Sequence, residues 1–242
     1  MKKATTTNSE SNSATPRTLA VDIGGTGIKT IILDPDGKPV TERERIATPP
    51  RATPKRVMAI IDKMAHQQGE FDRVSVGFPG VVKDGKLLTA VNLGPGWTKF
   101  DFQKALGKQL MRPVRIANDA DVQGMGSISG KGVELLITLG TGVGSALFVD
   151  GRLAHLEMGH HPFRKGRTYE DELGNAAFRR KGAKKWNRHL LEAIETLRTA
   201  FNYDRLYIGG GNNKHIKAPL PPNVQVVSNL EGLLGGIVLW ND

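Results

Sequence analysis

The sequence predicts an α/β protein built as two related lobes, with its working site in the cleft between them. Three observations carry this. Runs of β-branched and apolar residues alternate with amphipathic stretches along the whole chain. A strand–glycine turn–strand unit, "TLAVDIGGTGIKTIIL", returns as "VELLITLGTGVGSALFV". Its two turns, Gly25-Thr26-Gly27 and Gly140-Thr141-Gly142, lie about half a chain apart, as a duplicated unit requires.

Taken in order, residues 1–16 ("MKKATTTNSESNSATP") are rich in Ser, Thr and Asn and lack an apolar core. They are expected to form a disordered tail and not a signal peptide. A strand then runs to Asp22, a second from Ile28 to Leu33, and "DPDG" makes a turn. Thr53 and Pro54 mark the start of a helix over "PKRVMAIIDKMAHQQ". "FDRVSVGFPGVV" reads as a strand entering a loop, and "DFQKALGKQLM" as a helix. "PVRIANDADVQGMGS" passes from strand to helix at Asn118-Asp119, where a hinge is expected. After the second hairpin come helices across 170–201, the buried strand "RLYIGGG", the short strand "VQVVS" and a closing helix "NLEGLLGGIVLW". The lobes are therefore expected at 17–117 and 118–228, with 229–240 packing back on the first.

Apolar residues make up 38% of the chain and charged ones 24%, the balance of a globular protein. No apolar run approaches the roughly 20 residues of a membrane span. The absence of cysteine excludes disulfides and thiolate metal sites and fits a reducing compartment, so a cytoplasmic location is expected. The net charge of +10 points to a polyanionic partner. It is concentrated: from His161 to Leu190 nine Lys or Arg face three acids. Such a stretch is either a solvated helix face or a polyanion-binding surface. Lys181, Lys184, Lys185 and Arg188, at i, i+3, i+4 and i+7, would share one helix face and, if that face continues a phosphate cleft, form a track for a longer polyanion.

Glycine lets a backbone approach a ligand closely, and successive N–H groups in such a turn form an anion-binding concavity. Each turn alone reads equally as a tight hairpin; the pair suggests two concavities facing each other across a cleft. Neither is a P-loop, because Lys29-Thr30 continues into a strand instead of a helix. Neither is a dinucleotide fingerprint, because "GTGVG" has the wrong spacing and precedes "SALFV".

"VDIGGTGIK", "NDADVQG", "LGTGVGSA", "LEMGH" and "YIGGG", in this order, resemble the ROK family of sugar kinases, over residues 18 to about 240. "GRTYEDELGNAAFRRKGAKKWN" is similar to the polyphosphate glucokinase branch of that family. The resemblance implies the two-lobed actin/hexokinase/Hsp70-like ATPase fold, in which a ribonuclease H-like motif is duplicated. It implies phosphorylation of glucose to glucose 6-phosphate with inorganic polyphosphate, ATP or both as donor, Mg²⁺ as cofactor, and a homodimer. Many relatives bind structural zinc through cysteines after E-x-G-H; with no cysteine here, structural zinc is not expected.

By the same resemblance Asp119 is the general base, although its place at a helix start also suits an N-cap. Asn118, Asp119, Glu157, His160 and Glu170 are expected on the sugar, with Gly80 and Asn92 in loops closing one side. Asp171 and Glu172 adjoin Glu170 closely enough to compete for its role. His160 with His155 and His161 offers a metal site instead, but the spacing is not H-E-x-x-H. Asp22 would hold Mg²⁺ through water. Gly24, Gly25, Thr26 and Gly27 form the first phosphate loop, and Gly140, Thr141 and Gly142 the second. Lys29 either pairs with phosphate or lies on the strand surface. Gly209, Gly210 and Gly211 match the adenosine loop, or are a strand-to-helix turn. Competing readings are a strictly ATP-dependent kinase, a sugar-sensing regulator and a nucleic-acid-binding module. The regulator would carry an N-terminal helix-turn-helix, whereas 17 residues precede the first strand. The nucleic-acid module would interleave aromatics, yet Trp186 alone stands among the helix cations.

Overall fold

Two hairpins, each closed by a glycine turn, open two five-stranded sheets of the same order. The computed structural model describes residues 15–83, 85–90, 93–228 and 233–241. Most of the expected tail, Asn92 and the start of the expected closing helix (229–232) lie outside the described residues.

The first sheet is built from β1 (Thr18–Ile23), β2 (Ile28–Leu33) and β3 (Glu44–Ile46), then, after helix α1 (Pro54–Gln68), β4 (Arg73–Phe78). A small hairpin of β5 (Val82–Lys83) and β6 (Lys86–Leu87), helix α2 (Phe102–Leu110) and strand β7 (Val114–Asn118) complete it. Helix α3 (Asp119–Met125) follows without a break. The strand order is β3-β2-β1-β4-β7, with β2 antiparallel to both neighbours and β4 parallel to both.

The second sheet repeats this plan with β8 (Val133–Leu139), β9 (Val143–Val149) and β10 (Arg152–Ala154). A hairpin of β11 (Pro162–Arg164) and β12 (Arg167–Thr168) leads into α4 (Tyr169–Leu173) and α5 (Asn175–Phe201), then β13 (Arg205–Gly209) and β14 (Val224–Val226). Its order is β10-β9-β8-β13-β14, with the same pattern of parallel and antiparallel pairs.

Each sheet is covered on both faces. On the first, Leu19, Val21 and Ile23 pack against Val57, Ile61 and Met64, the apolar stripe of α1, together with the aromatic group Phe78, Trp97 and Phe102. Its opposite face, Ala20, Ile31 and Leu33, receives Leu233 and Ile237. On the second sheet Leu135, Ile137 and Leu139 meet Trp186, Leu190, Ile194 and Leu197 of α5, while Leu136, Ala146 and Phe148 meet Ala120 of α3. Thus α3 and the C-terminal segment lie between the sheets. That segment is held by Ser75 Oγ donating to Gly236 O (2.6 Å), and the guanidinium groups of Arg73 and Arg115 lie 5.0 and 4.8 Å from the centroid of the Trp240 ring.

Two expectations need correction, and one stretch left unassigned by the sequence, 162–168, takes a definite form. The closing segment ends as a 3₁₀ helix over Gly235–Trp240, and it packs so closely on α3 that a Cβ at Gly235 would collide with the carbonyl of Val122. The stretch 162–168 is a hairpin. Most consequential, α5 is bent: Gly182 has φ 72° and ψ 164°, a conformation glycine adopts without strain, so the helix divides into an inner and an outer arm. Lys181 and Lys184 therefore share no helix face.

Candidate active site

The two glycine turns face a cleft of about 720 Å³ lined by both sheets. The first turn is closed by Gly24 N–H donating to Gly27 O (3.0 Å), and the second by Gly140 N–H donating to Gly142 O (3.0 Å). The amides of Gly25, Thr26 and Thr141 find no protein acceptor among the described residues, so they stand ready for an anion. Gly24, Gly25, Thr26, Gly140, Thr141 and Gly142 all line the cleft. Gly27 does not; it is buried, and a Cβ there would come within 2.6 Å of Arg45 Nε. Its missing side chain makes room for Arg45, whose Nη2 donates to Thr26 O (2.7 Å).

Asp119 is the first residue of α3, directly after β7. The N-cap is Asn118, whose Oδ1 accepts from Ala120 N (2.8 Å) and Asp121 N (3.2 Å). That leaves one Asp119 oxygen on the Ala120 amide (2.8 Å) and the other without a hydrogen-bond partner among the described residues. Burial, then the charge of Asp22 across the cleft, with a further push from Glu157, raises the Asp119 pKa to about 7. A carboxylate poised there exchanges protons at neutral pH. Asn118 Nδ2 is also engaged, donating to Gly80 O (3.0 Å), which ties the Gly80 loop to the cap.

Asp22, at the end of β1, is paired with Lys29 directly across the hairpin (2.6 Å). This pairing is neither of the two readings for Lys29, phosphate partner or strand-surface residue; both residues line the cleft. Two carboxylates, Asp22 and Asp119, thus line one cleft, and Lys29 is paired with the first of them. Magnesium keeps several waters and takes one or two carboxylates plus phosphate, so this donor set fits it. Among the described residues no cluster of three or more His, Asp or Glu comes together as a metal cage. His155 instead pairs with Asp121 (3.3 Å).

The E-x-G-H loop is pinned from two sides. Ser145 Oγ donates to Leu156 O and accepts from Met158 N, both at 3.0 Å, while Glu170 N donates to Gly159 O (2.8 Å). Glu157, His160 and Glu170 consequently reach the cleft together. Burial, and the nearby Glu170, push Glu157 above the usual carboxylate range even though the Gly159 amide and His160 pull it down. The three adjacent acids of α4 separate cleanly: Glu170 faces the cleft and accepts from Val143 N (3.3 Å). Asp171 closes a capping box with Thr168, and Glu172 points into the protein.

Glu172 is the centre of a buried ionic knot. It contacts Lys181 and lies 2.6 Å from His189 Nδ1, with Arg164 (3.8 Å) and Arg167 (3.9 Å) beyond. Burial alone would raise its pKa, but Lys181, with His189 and Arg164, outweighs this and holds it below the ordinary range. His189 Nε2 takes a hydrogen bond from Arg164 (3.0 Å), which leaves Nδ1 to carry the proton toward Glu172. Lys181 is therefore part of the interior and no part of a track: its side chain is 7% exposed. Lys184, Lys185 and Arg188 are exposed on the outer arm of α5 and do not line the cleft.

Gly210 and Gly211 line the cleft, whereas Gly209 is buried in β13 against the Gln123 side chain. Beside them Phe178 and His215 stack at 4.0 Å, both on the cleft wall. Sequence reasoning missed this pair, and it missed Arg45, Arg179 and Lys214, which also line the cleft. Arg45 and Lys214 come from a short edge strand and a 3₁₀ turn that carry no motif, while Phe178 and Arg179 lie inside the quoted segment 166–187, where nothing in the spacing says which side chains turn to the cleft.

Comparison with known proteins agrees with this fold. The sequence model of the ROK family matches residues 18–173. The chain is 31% identical over 209 residues to the polyphosphate glucokinase of Mycobacterium tuberculosis (strain ATCC 25618 / H37Rv), covering 80% of this chain and 77% of that one. It is 31% identical over 143 residues to N-acetylmannosamine kinase of Escherichia coli O157:H7, covering 56% and 48% of the two chains. Among solved structures, the inorganic polyphosphate/ATP-glucomannokinase of Arthrobacter sp. strain KM superposes with a TM-score of 0.83 at 30% identity, over 92% of this chain and 97% of that one. A ROK family glucokinase from Streptomyces griseus, solved with glucose and AMPPNP, gives 0.73 at 20% identity, over 92% and 98%. The shared architecture is the two-lobed actin-like ATPase fold.

Proposed function

The chain belongs to the ROK family of sugar kinases, and from that premise we propose that it transfers a phosphoryl group from inorganic polyphosphate, and from ATP, to glucose. The observation that carries this reading is Asp119, held near neutrality on the floor of a cleft between two glycine turns. In the proposed reaction Asp119 accepts the proton of the sugar 6-hydroxyl as that oxygen attacks the terminal phosphorus of the donor. The bond to the bridging oxygen breaks, and the donor leaves one phosphate shorter. Glu157, His160 and Glu170 hold the ring hydroxyls, and Asn118 fixes both the helix that carries the base and the Gly80 loop. The free amides of the two turns cradle the reacting phosphates, where preorganised donors stabilise developing charge. Magnesium, held through Asp22 and its waters, would neutralise charge on the phosphates. The polyphosphate glucokinase and glucomannokinase relatives support the choice of sugar and donor.

A strictly ATP-dependent kinase is the second reading, favoured by the Phe178–His215 stack beside Gly211, a flat surface suited to a purine. Coupled-assay turnover with glucose as acceptor, run with ATP and with polyphosphate, separates the two. Turnover with polyphosphate is expected; turnover with ATP alone would establish the second reading, and turnover with neither would overturn both.

A further inference from the structure

A phosphate chain must run somewhere once it leaves the two glycine turns, and each turn carries its own cations. Over the first lies Arg45, seated by its bond to Thr26 O in the space Gly27 leaves free. A guanidinium has five N–H donors, and one is spent on that carbonyl. Beside the second turn stand Arg179, on the inner arm of α5, and Lys214, in the 3₁₀ turn Asn213–His215. Both segments hang from the same carbonyl: Asn175 N donates to Gly140 O (2.9 Å), and Asn212 Nδ2 donates to it as well (3.1 Å).

Arg45, Arg179 and Lys214 line the cleft, are exposed, and have no acidic partner among the described residues. Unpaired cations on the walls of a cleft focus its field and reward a ligand carrying repeated negative charge. The outer arm of α5 offers more charge, but beyond the bend and away from the cleft. We propose that a linear polyphosphate leaves the reaction centre between Arg45 on one side and Arg179 with Lys214 on the other. These three residues, not the outer arm of α5, then set the preference for chain length. The proposal rests on the reading of polyphosphate as a donor.

The test compares wild type, Arg45→Ser, Arg179→Ser/Lys214→Ser and Lys184→Ser/Lys185→Ser/Arg188→Ser. KM is measured for short and long linear polyphosphate and for ATP over a range of salt, with glucose KM as the internal reference. Binding of sodium polyphosphate is measured without sugar. Removing Arg179 and Lys214 is expected to raise the long-chain KM about tenfold at low salt. It should also flatten the slope of log KM against log salt by about 1.4, at roughly 0.7 per phosphate contact of a flexible polyanion. The ATP KM should move much less, and the outer-arm variant should stay within about twofold of wild type. Loss of long-chain use in the outer-arm variant, or wild-type behaviour in both cleft variants, overturns the proposal while leaving the donor reading intact. A wild-type protein that neither binds nor uses polyphosphate overturns both.

Discussion

The two halves of this molecule share one frame and differ in what hangs from it. Between β3 and β4 the first half places a single helix, α1, which closes its core with an apolar stripe. At the equivalent place, between β10 and β13, the second half inserts a hairpin, α4 and the bent α5, tied by the ionic knot around Glu172. The carboxylates Asp22 and Asp119 come from the end of β1 and from the first residue after β7. Glu157, His160, Glu170, Arg179 and Lys214 come from the second half, mostly from or beside its insertion. A duplicated sheet thus supplies position, and the departures from duplication supply chemistry.

The sharpest break is Asp119→Asn, which keeps the shape and removes the proton acceptor. We expect kcat to fall about 10²- to 10⁴-fold while glucose still binds. Steady-state kinetics with calorimetric glucose binding checks this, and a variant keeping most of its turnover would move the chemistry out of the first half. Next in size is Glu172→Ala. It strands the buried Lys181 without its partner, so stability should drop by about 3–5 kcal/mol in denaturant titration. An indifferent variant would mean that the insertion is held by apolar contacts, as α1 is.

The pH dependence sharpens the contrast further. A base works ionised, so kcat/KM should fall about tenfold per pH unit below the Asp119 pKa of about 7. The same shift costs stability. Asp119 is more easily protonated in the folded than in the unfolded chain, so stability falls as pH rises from the ordinary value of 3.8 to about 7. Asp119→Asn should therefore melt higher than wild type at pH 8, with the gap closing towards pH 4. A gap that is independent of pH would contradict this. The smallest effects compare the turns. Gly27→Ala should displace Arg45 and raise donor KM a few-fold with little change in Tm. Gly140→Ala, where an added Cβ meets nothing within 4 Å, should alter Tm by about a degree or less.

Sequence pattern located the two hairpins β1–β2 and β8–β9, strands β4, β7, β13 and β14, both turns, the Thr53–Pro54 helix start and the passage from Asn118 into α3, because periodicity and capping are local; the two- and three-residue strands β3, β5, β6, β10, β11 and β12 are too short to show a period. The candidate site was legible where motifs are contiguous, and the structure gathers Asp22, Asp119, Glu157, His160 and Glu170 into one cleft. It misled at Lys181: spacing assumed one straight helix, and a single glycine inside a helical pattern reads as tolerated. Nor was the choice of Glu170 over Asp171 and Glu172 visible, since it depends on which residue the Thr168 capping box consumes. Arg45, Arg179 and Lys214 meet only through tertiary structure.

A straight helix of 27 residues would run about 40 Å and lock every side chain to every other at 100° per residue. Gly182 cancels that lock. The inner arm takes its direction from Asn175 on Gly140 O, and the outer arm from Trp186 Nε1 on Leu173 O (2.9 Å). An inserted or deleted residue on the outer arm rotates only what lies beyond the bend, and Arg179 keeps its aim. One continuous stretch of sequence therefore serves two directions: the inner arm aims Arg179 at the cleft, while the outer arm closes the second core with one face and turns Lys184, Lys185 and Arg188 outward with the other.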